Sequence, residues 1–255
     1  MVINRIEYNL TLLQKGNKLL HERATTAAII LAAGTSSRMG AGRHKLLLPL
    51  GDRPVLAHGI EAALASQARP VIVVLGHQAE QVRAAIAQYA DHPAVSIIEN
   101  PDYRQGMSTS LHAGVNAIIH QTASPSRPDS ALILLGDQPM MTAHILDSLI
   151  AARQATGKRI IAPLYEGQRG NPILFEASLF PELLAVTGDE GARSVIEHHR
   201  QEVATVELGS AVATYDVDTW EAYQQVFQSL KRAEIATTSC CPLEGKYTIR
   251  PEDVK

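Results

Sequence analysis

Short apolar runs of strand length punctuate this chain, separated by stretches in which apolar residues recur every three or four positions. Ala27–Leu31, Val71–Leu75, Val95–Ile98 and Ala131–Leu135 are such runs, bounded by Gly, Pro or Asn, and they read as strands buried on both faces. Between them, Asp52 with Pro54 behind it predicts the cap and first turn of a helix running through Ile60 and Leu64. Gln78–Tyr89 places Val82, Ala85, Ile86 and Tyr89 on one helical face, and Ser108 predicts the cap of a helix carrying Leu111, Val115 and Ile118. A further helix is expected to begin near Thr142, and the alternation Tyr215-Asp216-Val217-Asp218-Thr219 reads as a late strand. Strands alternating with helices predict an α/β chain whose mainly parallel sheet is covered on both faces.

The two ends depart from this pattern. Ile3, Ile6, Leu10 and Leu13 fall at helical spacing and suggest a short amphipathic helix in an N-terminal extension, residues 1–26. The expected core domain is residues 27–232, and the stretch from 233 to 255 is expected to be a tail. Thr122–Asp129 reads as a surface loop inside the domain.

Composition adds exclusions. With 255 residues, one domain with a large core is expected. A formal net charge of −3 and a pI near 6.4 provide no basic footprint, so no nucleic-acid partner is expected. No apolar run approaches the roughly 20 residues a membrane helix needs, and the first residues lack the h-region of a signal peptide. The chain's 2 cysteines, Cys240 and Cys241, are adjacent and form no disulfide framework. Together these features predict a cytoplasmic protein with no membrane contact.

Candidate chemistry begins where the first strand ends. Leu31-Ala32-Ala33-Gly34 leads into Thr35-Ser36-Ser37-Arg38-Met39-Gly40, a small-residue loop at the carboxyl end of a parallel strand, where open α/β sheets bind ligands. Arg38 offers a forked cation and Lys45 a point charge, two complementary ways to hold polyphosphate oxygens. The loop is neither a Walker A sequence nor a G-x-G-x-x-G fingerprint, which disfavours a nicotinamide-dependent oxidoreductase. The fourth strand ends in Gly136-Asp137-Gln138-Pro139, which projects a carboxylate over the same sheet edge. Mg²⁺ takes one or two carboxylates plus phosphate oxygens, and Asp218, with Asp216 as the lesser candidate, would supply the second. A lone Gly-Asp is more often a turn or cap before the next helix, and it is the second carboxylate that tips the reading toward a metal. His44 and His77 read as polar loop residues.

Five segments in order, LAAGTSSRMG followed by KLLLP, then LLGDQP, GQRGNPILF, GDEGAR and DVDT, resemble the molybdenum cofactor cytidylyltransferases and their relatives in the nucleoside-triphosphate transferase superfamily. The resemblance covers about residues 27–227. It implies a Rossmann-like three-layer α/β/α fold with a mostly parallel central sheet. It also implies a Mg²⁺-dependent enzyme that transfers CMP from CTP to the terminal phosphate of molybdopterin or molybdenum cofactor, releasing pyrophosphate. A client molybdoenzyme or its chaperone would be a further partner.

Carried over by position, the nucleotide would be held by Leu31, Ala32, Ala33, Gly34, Arg38, Lys45, Gly76, Ser108 and Asp137, with Arg38, Lys45 and Asp137 catalytic. Asp137 and Asp218 would hold the metal, and Arg169, Gly170, Asn171, Pro172 and Arg193 the acceptor. Ala33 matches the LAAG of the cytidylyl branch and so implies CTP. The sequence departs from the family in two places. The spacer Ala41–His44 before Lys45 is longer than usual, and Trp220-Glu221-Ala222 follows DVDT in place of Pro-Glu-Asp. Alternatives are transfer to a sugar phosphate, guanylyl transfer with GTP, and a non-catalytic cofactor carrier.

Overall fold

The computed structural model describes residues 25–40, 43–120, 127–209 and 215–239, with side chains to residue 231. The amphipathic segment around Ile3–Leu13 and the Cys240-Cys241 pair lie outside the described residues.

The core is a sheet of eight strands: β1 (Thr26–Ala32), β4 (Val71–Leu75), β5 (Val95–Glu99), β6 (Ser130–Leu135), β7 (Ile160–Tyr165), β8 (Gln168–Arg169), β9 (Ile173–Glu176) and β10 (Val203–Glu207), in spatial order β10-β7-β9-β6-β1-β4-β5 with β8 beside β7. β1 pairs in parallel with both β4 and β6, whereas β8 and β9 run antiparallel to their neighbours. From β1 the chain winds outward through β4 and β5, then crosses back to place β6 on the other side of β1. The sheet therefore reverses its winding between β1 and β6, where the carboxyl ends of the strands diverge and leave a crevice.

Successive residues of β1 point to opposite faces, and each face is sealed by helices. Ala28, Ile30 and Ala32 pack with α1 (Val55–Ala65), α2 (Ala79–Ala85) and α4 (Ala143–Thr156). Ala27 and Ile29 face α3 (Met107–His120), α5 (Phe180–Leu183) and α6 (Arg193–His198). This is the Rossmann-like three-layer α/β/α arrangement. Helix α3 lies close on β1 because Gly114 has no side chain, and a Cβ there would stand 2.4 Å from Cγ2 of Ile29. Thr142 caps α4, its hydroxyl accepting the Ile145 N–H at 3.4 Å, and Gly157 ends that helix in the left-handed region.

Several local expectations change. Asp52 caps nothing: Gly51-Asp52 is the two-residue turn of a small hairpin, β2 (Pro49–Leu50) with β3 (Arg53–Pro54), and α1 begins directly after Pro54. Gly51 takes the positive φ that such a tight turn needs. Ser108 lies inside α3 rather than at its cap. Tyr215–Asp218 joins no sheet; it is tied instead by a single backbone bond, Val217 N–H donating to the Asp137 carbonyl oxygen at 2.9 Å. The last helix, α7 (Trp220–Ser239), runs past the boundary expected at 232. Val217, Tyr223 and Val226 bury themselves against Leu50 of the hairpin and Val55 at the start of α1. Full burial of a valine contributes about 1.5–3 kcal/mol, so Val217 anchors the loop that carries Asp216 and Asp218.

Candidate active site

Three chain segments meet above the carboxyl ends of β1 and β6, and Lys45 ties them together. Its Nζ donates to Oδ2 of Asp137 and, at 2.6 Å, to Oδ1 of Asp218. Arg38 pairs with the other oxygen of Asp218. Each of three consecutive residues fixes the loop delivering that ammonium. The Arg43 guanidinium lies 4.6 Å from the Trp220 ring centroid, His44 Nε2 meets the His77 carbonyl oxygen at 3.2 Å, and the Lys45 backbone N–H donates to Ser36 Oγ at 3.1 Å. The His44 and His77 rings also stack, centroids 5.6 Å apart. The long spacer before Lys45 therefore does not keep it from the carboxylates.

The charges shift one another in consistent directions. Burial alone would lower the Lys45 pKa, but the charge and hydrogen bond of Asp137, reinforced by Asp218, outweigh it and raise it. Burial works to raise Asp218, yet the hydrogen bond and charge of Lys45, with Arg38 adding, hold it below the ordinary carboxylate value. Asp216 goes the other way. The protein around its carboxyl and the charge of nearby Asp137 push its pKa up, although the residue keeps solvent contact and accepts a hydrogen bond from Gln138 Nε2 at 2.7 Å. His44, buried beside His77 and Lys45, is pushed down and stays neutral near pH 7.

The donor set suits a hard divalent cation. Two carboxylates from separate segments already gather around one positive charge, and such an ion takes one or two carboxylates together with phosphate oxygens. No group of three or more His, Cys, Asp or Glu is gathered for a metal among the described residues.

Two adjoining clefts open at this edge. The first, about 350 Å³, is lined by Leu31, Ala32, Ala33, Gly34, Lys45 and Asp137 among others. The second, about 380 Å³, is lined by Arg169, Gly170, Asn171 and Arg193 together with apolar residues of β6 and β9. Leu31, Leu135, Met107 and Asp189 belong to both walls. Among the described residues neither Arg169 nor Arg193 has an ion-pair partner, and Arg193 does not pair with neighbouring Glu190. Tyr165 backs this wall, donating its hydroxyl to the Asn171 carbonyl at 2.9 Å, and burial pushes its pKa up to about 12.

Four expected contacts stand off the first cleft, and one off the second. Arg38, 73% exposed, and Asp218 reach the first cleft only through Lys45. Gly76 sits behind the wall as a spacer, where a Cβ would lie 2.6 Å from that of Ala33 and 2.7 Å from that of Tyr103. Ser108 is buried, its N–H given to the Gly188 carbonyl at 3.0 Å, while Gly106, Met107 and Ser110 line the cleft beside it. Pro172 is buried behind Asn171. Sequence reasoning missed Tyr103 and Arg104 as lining residues, whereas Asp189, inside the GDEGAR segment that the resemblance places on the acceptor side, lines both clefts. A signal for the first two was available, since Asn100-Pro101-Asp102 follows a parallel strand and breaks it. The buried Asn100 side chain donates to Thr109 Oγ1 at 2.8 Å and Ser110 Oγ at 3.0 Å, bracing that turn against α3.

Residues 28–203 match the MobA-like NTP transferase domain. The chain is 31% identical over 194 residues to the molybdenum cofactor cytidylyltransferase of Escherichia coli, spanning 75% of this chain and 90% of that protein. It is 28% identical over 201 residues to the nicotine blue oxidoreductase of Paenarthrobacter nicotinovorans, 76% of this chain and 92% of that one. The manganese complex of Rv0371C from Mycobacterium tuberculosis superposes with a TM-score of 0.65 at 28% identity, covering 81% of this chain and all of that one.

Proposed function

The chain belongs to the MobA-like NTP transferase family and is a nucleotidyltransferase, and we propose that it transfers CMP from CTP to the terminal phosphate of molybdopterin or molybdenum cofactor. The observation that carries this reading is the pair of adjoining clefts. One holds Lys45 and Asp137, and the other presents two guanidinium groups, Arg169 and Arg193, neither of them ion-paired among the described residues although Asp189 and Glu190 line the same cleft. A triphosphate in the first and an anionic acceptor in the second would meet over Leu31 and Leu135.

In the proposed reaction an oxygen of the acceptor phosphate attacks the α-phosphorus in line. A new P–O bond forms, the bond to the β-phosphate breaks, and pyrophosphate leaves with its electron pair. The acceptor phosphate is ionised at neutral pH, so no general base is required, in keeping with His44 and His77 serving the loop. Asp137 and Asp218 would hold Mg²⁺, which neutralises charge on the phosphate oxygens when bound. Lys45 and Arg38 would supply positive charge toward the leaving pyrophosphate, a contribution worth most where charge develops in the transition state. For Arg38 to do so it must release Asp218. Ala33, in place of a glycine, narrows the space beside the base and favours a pyrimidine. The relative named as an oxidoreductase raises a rival reading, but LAAGTSSRMG lacks the glycine pattern of a dinucleotide loop.

Pyrophosphate release tests the proposal, with Mg²⁺, each of four nucleoside triphosphates, and molybdenum cofactor or a panel of sugar 1-phosphates as acceptor. The expected result is release with CTP and molybdenum cofactor, at a kcat/KM above that with GTP. Preference for GTP would overturn the nucleotide, release only with a sugar phosphate would overturn the acceptor, and binding of mature cofactor without release would favour a carrier.

A further inference from the structure

The wall shared by the two clefts has an unusual construction. Helix α3 begins at Met107, and its first two amides are satisfied from Gly188-Asp189, far along the chain. Met107 N–H donates to Asp189 Oδ1 at 3.0 Å, and Ser108 N–H donates to the Gly188 carbonyl at 3.0 Å. The two segments touch so closely that a Cβ on Gly106 would lie 2.6 Å from the Gly188 carbonyl group and 3.0 Å from Asp189 Oδ1. On the far side, a Cβ on Gly191 would meet Met107 Sδ at 3.2 Å. The carboxylate also sits at the positive end of a fourteen-residue helix, where negative charge is stabilised.

This contact joins parts with different tasks. Gly106 and Met107 line the first cleft, whereas Glu190, Gly191 and Arg193, directly after Asp189, line the second. We infer that Asp189 is a positioning residue that couples the clefts: by clamping the acceptor-side segment to the start of α3, it makes filling of the donor cleft fix the segment that delivers Arg193. The inference rests on the nucleotidyltransferase reading of the clefts and adds an order to it, donor first, then a better-formed acceptor site. Coupling between sites acts through an element that both ligands bias, and the Gly188-Asp189 clamp is such an element.

Hydrogen exchange of the full chain with Mg²⁺ and CTP, without acceptor, tests this, with calorimetry on the same samples reporting whether CTP binds. In the wild type, CTP should slow exchange across residues 187–193 about tenfold, within the range typical of coupled sites. Asp189→Asn, which keeps an oxygen able to cap the helix, should retain that slowing. Asp189→Ala should bind CTP within about threefold of the wild type yet lose the slowing, and its KM for acceptor should rise about tenfold while kcat changes far less. Equal slowing in Asp189→Ala overturns the coupling, and so does bound CTP with no slowing in the wild type. Those results leave the nucleotidyltransferase reading standing. Calorimetry showing no binding of any triphosphate would overturn that reading and the coupling together. Should Asp189→Ala fail to fold, the wild-type exchange and the Asn variant still decide.

Discussion

Replacing Lys45 by methionine removes the charge that holds two carboxylates together while keeping much of the side chain's bulk. Breaking a fully buried pair costs about 3–5 kcal/mol, and an exposed pair is worth about 0–1 kcal/mol. With side-chain exposures of 14% for Lys45, 15% for Asp137 and 30% for Asp218, the site lies between these limits, and a loss of about 2 kcal/mol is expected. For a chain of this length that lowers Tm by about 4–8 °C.

The pH dependence follows from the shifts. The Asp218 pKa is lowered by folding, so its stabilisation is present above the unfolded value near 4 and is lost as pH falls through the folded one. The Lys45 pKa is raised, so its stabilisation is complete below the unfolded value near 10.4 and is lost as pH rises through the folded one. The gap in Tm between wild type and variant should therefore be widest from about pH 5 to 9 and close on acidification. The variant also leaves the two carboxylates without their competing ammonium, so calorimetry with Mn²⁺ alone should show affinity rising, by about tenfold for each 1.4 kcal/mol of competition removed. Turnover should nonetheless fall by about 10²-fold or more. Unchanged Tm from pH 4 to 9 together with unchanged Mn²⁺ affinity would refute the reasoning.

Four further substitutions separate the roles of neighbouring groups. Asp137→Asn and Asp218→Asn should each abolish turnover while the fold survives, whereas Asp216→Asn, which alters a group bonded to Gln138 rather than Lys45, should keep measurable activity; a Mg²⁺ titration showing the reverse for 216 and 218 would invert the assignment. Arg38→Ala should lower kcat/KM by about 10²-fold with little change in Tm, because its side chain is mostly solvated; unchanged kinetics would place Arg38 outside the reaction.

How much of this was legible in the sequence depended on how local the determining contacts are. The parallel strands β1, β4 and β6 announce themselves because burial on both faces demands unbroken apolar runs, and the edge strand β5, interrupted by Ser96 and only partly buried, keeps enough apolar residues to be read with them. β7 carries Pro163 within its run, a residue that argues against an interior strand until its neighbours are known. The antiparallel β9 depends on pairing with β6 and β7 that no local pattern encodes. Tyr215–Thr219 alternates like a strand, yet only tertiary contact reveals that it joins no sheet. The same division runs through the site. Leu31–Gly34, Lys45 and Asp137 were readable because chemistry at a strand end has a fixed place above an open sheet. The bond from the Met107 amide to Asp189 was not, because nothing in either segment alone says that they touch.

In the proposed reaction the two clefts have different occupants, and the double variant Arg169→Ala with Arg193→Ala measures that most directly. Each guanidinium lost from a charge-assisted contact removes about 1.5–3 kcal/mol, so the KM for molybdenum cofactor should rise by about 10²-fold or more while the KM for CTP stays within about twofold. A rise in the KM for CTP, with the acceptor's unchanged, would contradict the assignment of donor and acceptor to their clefts.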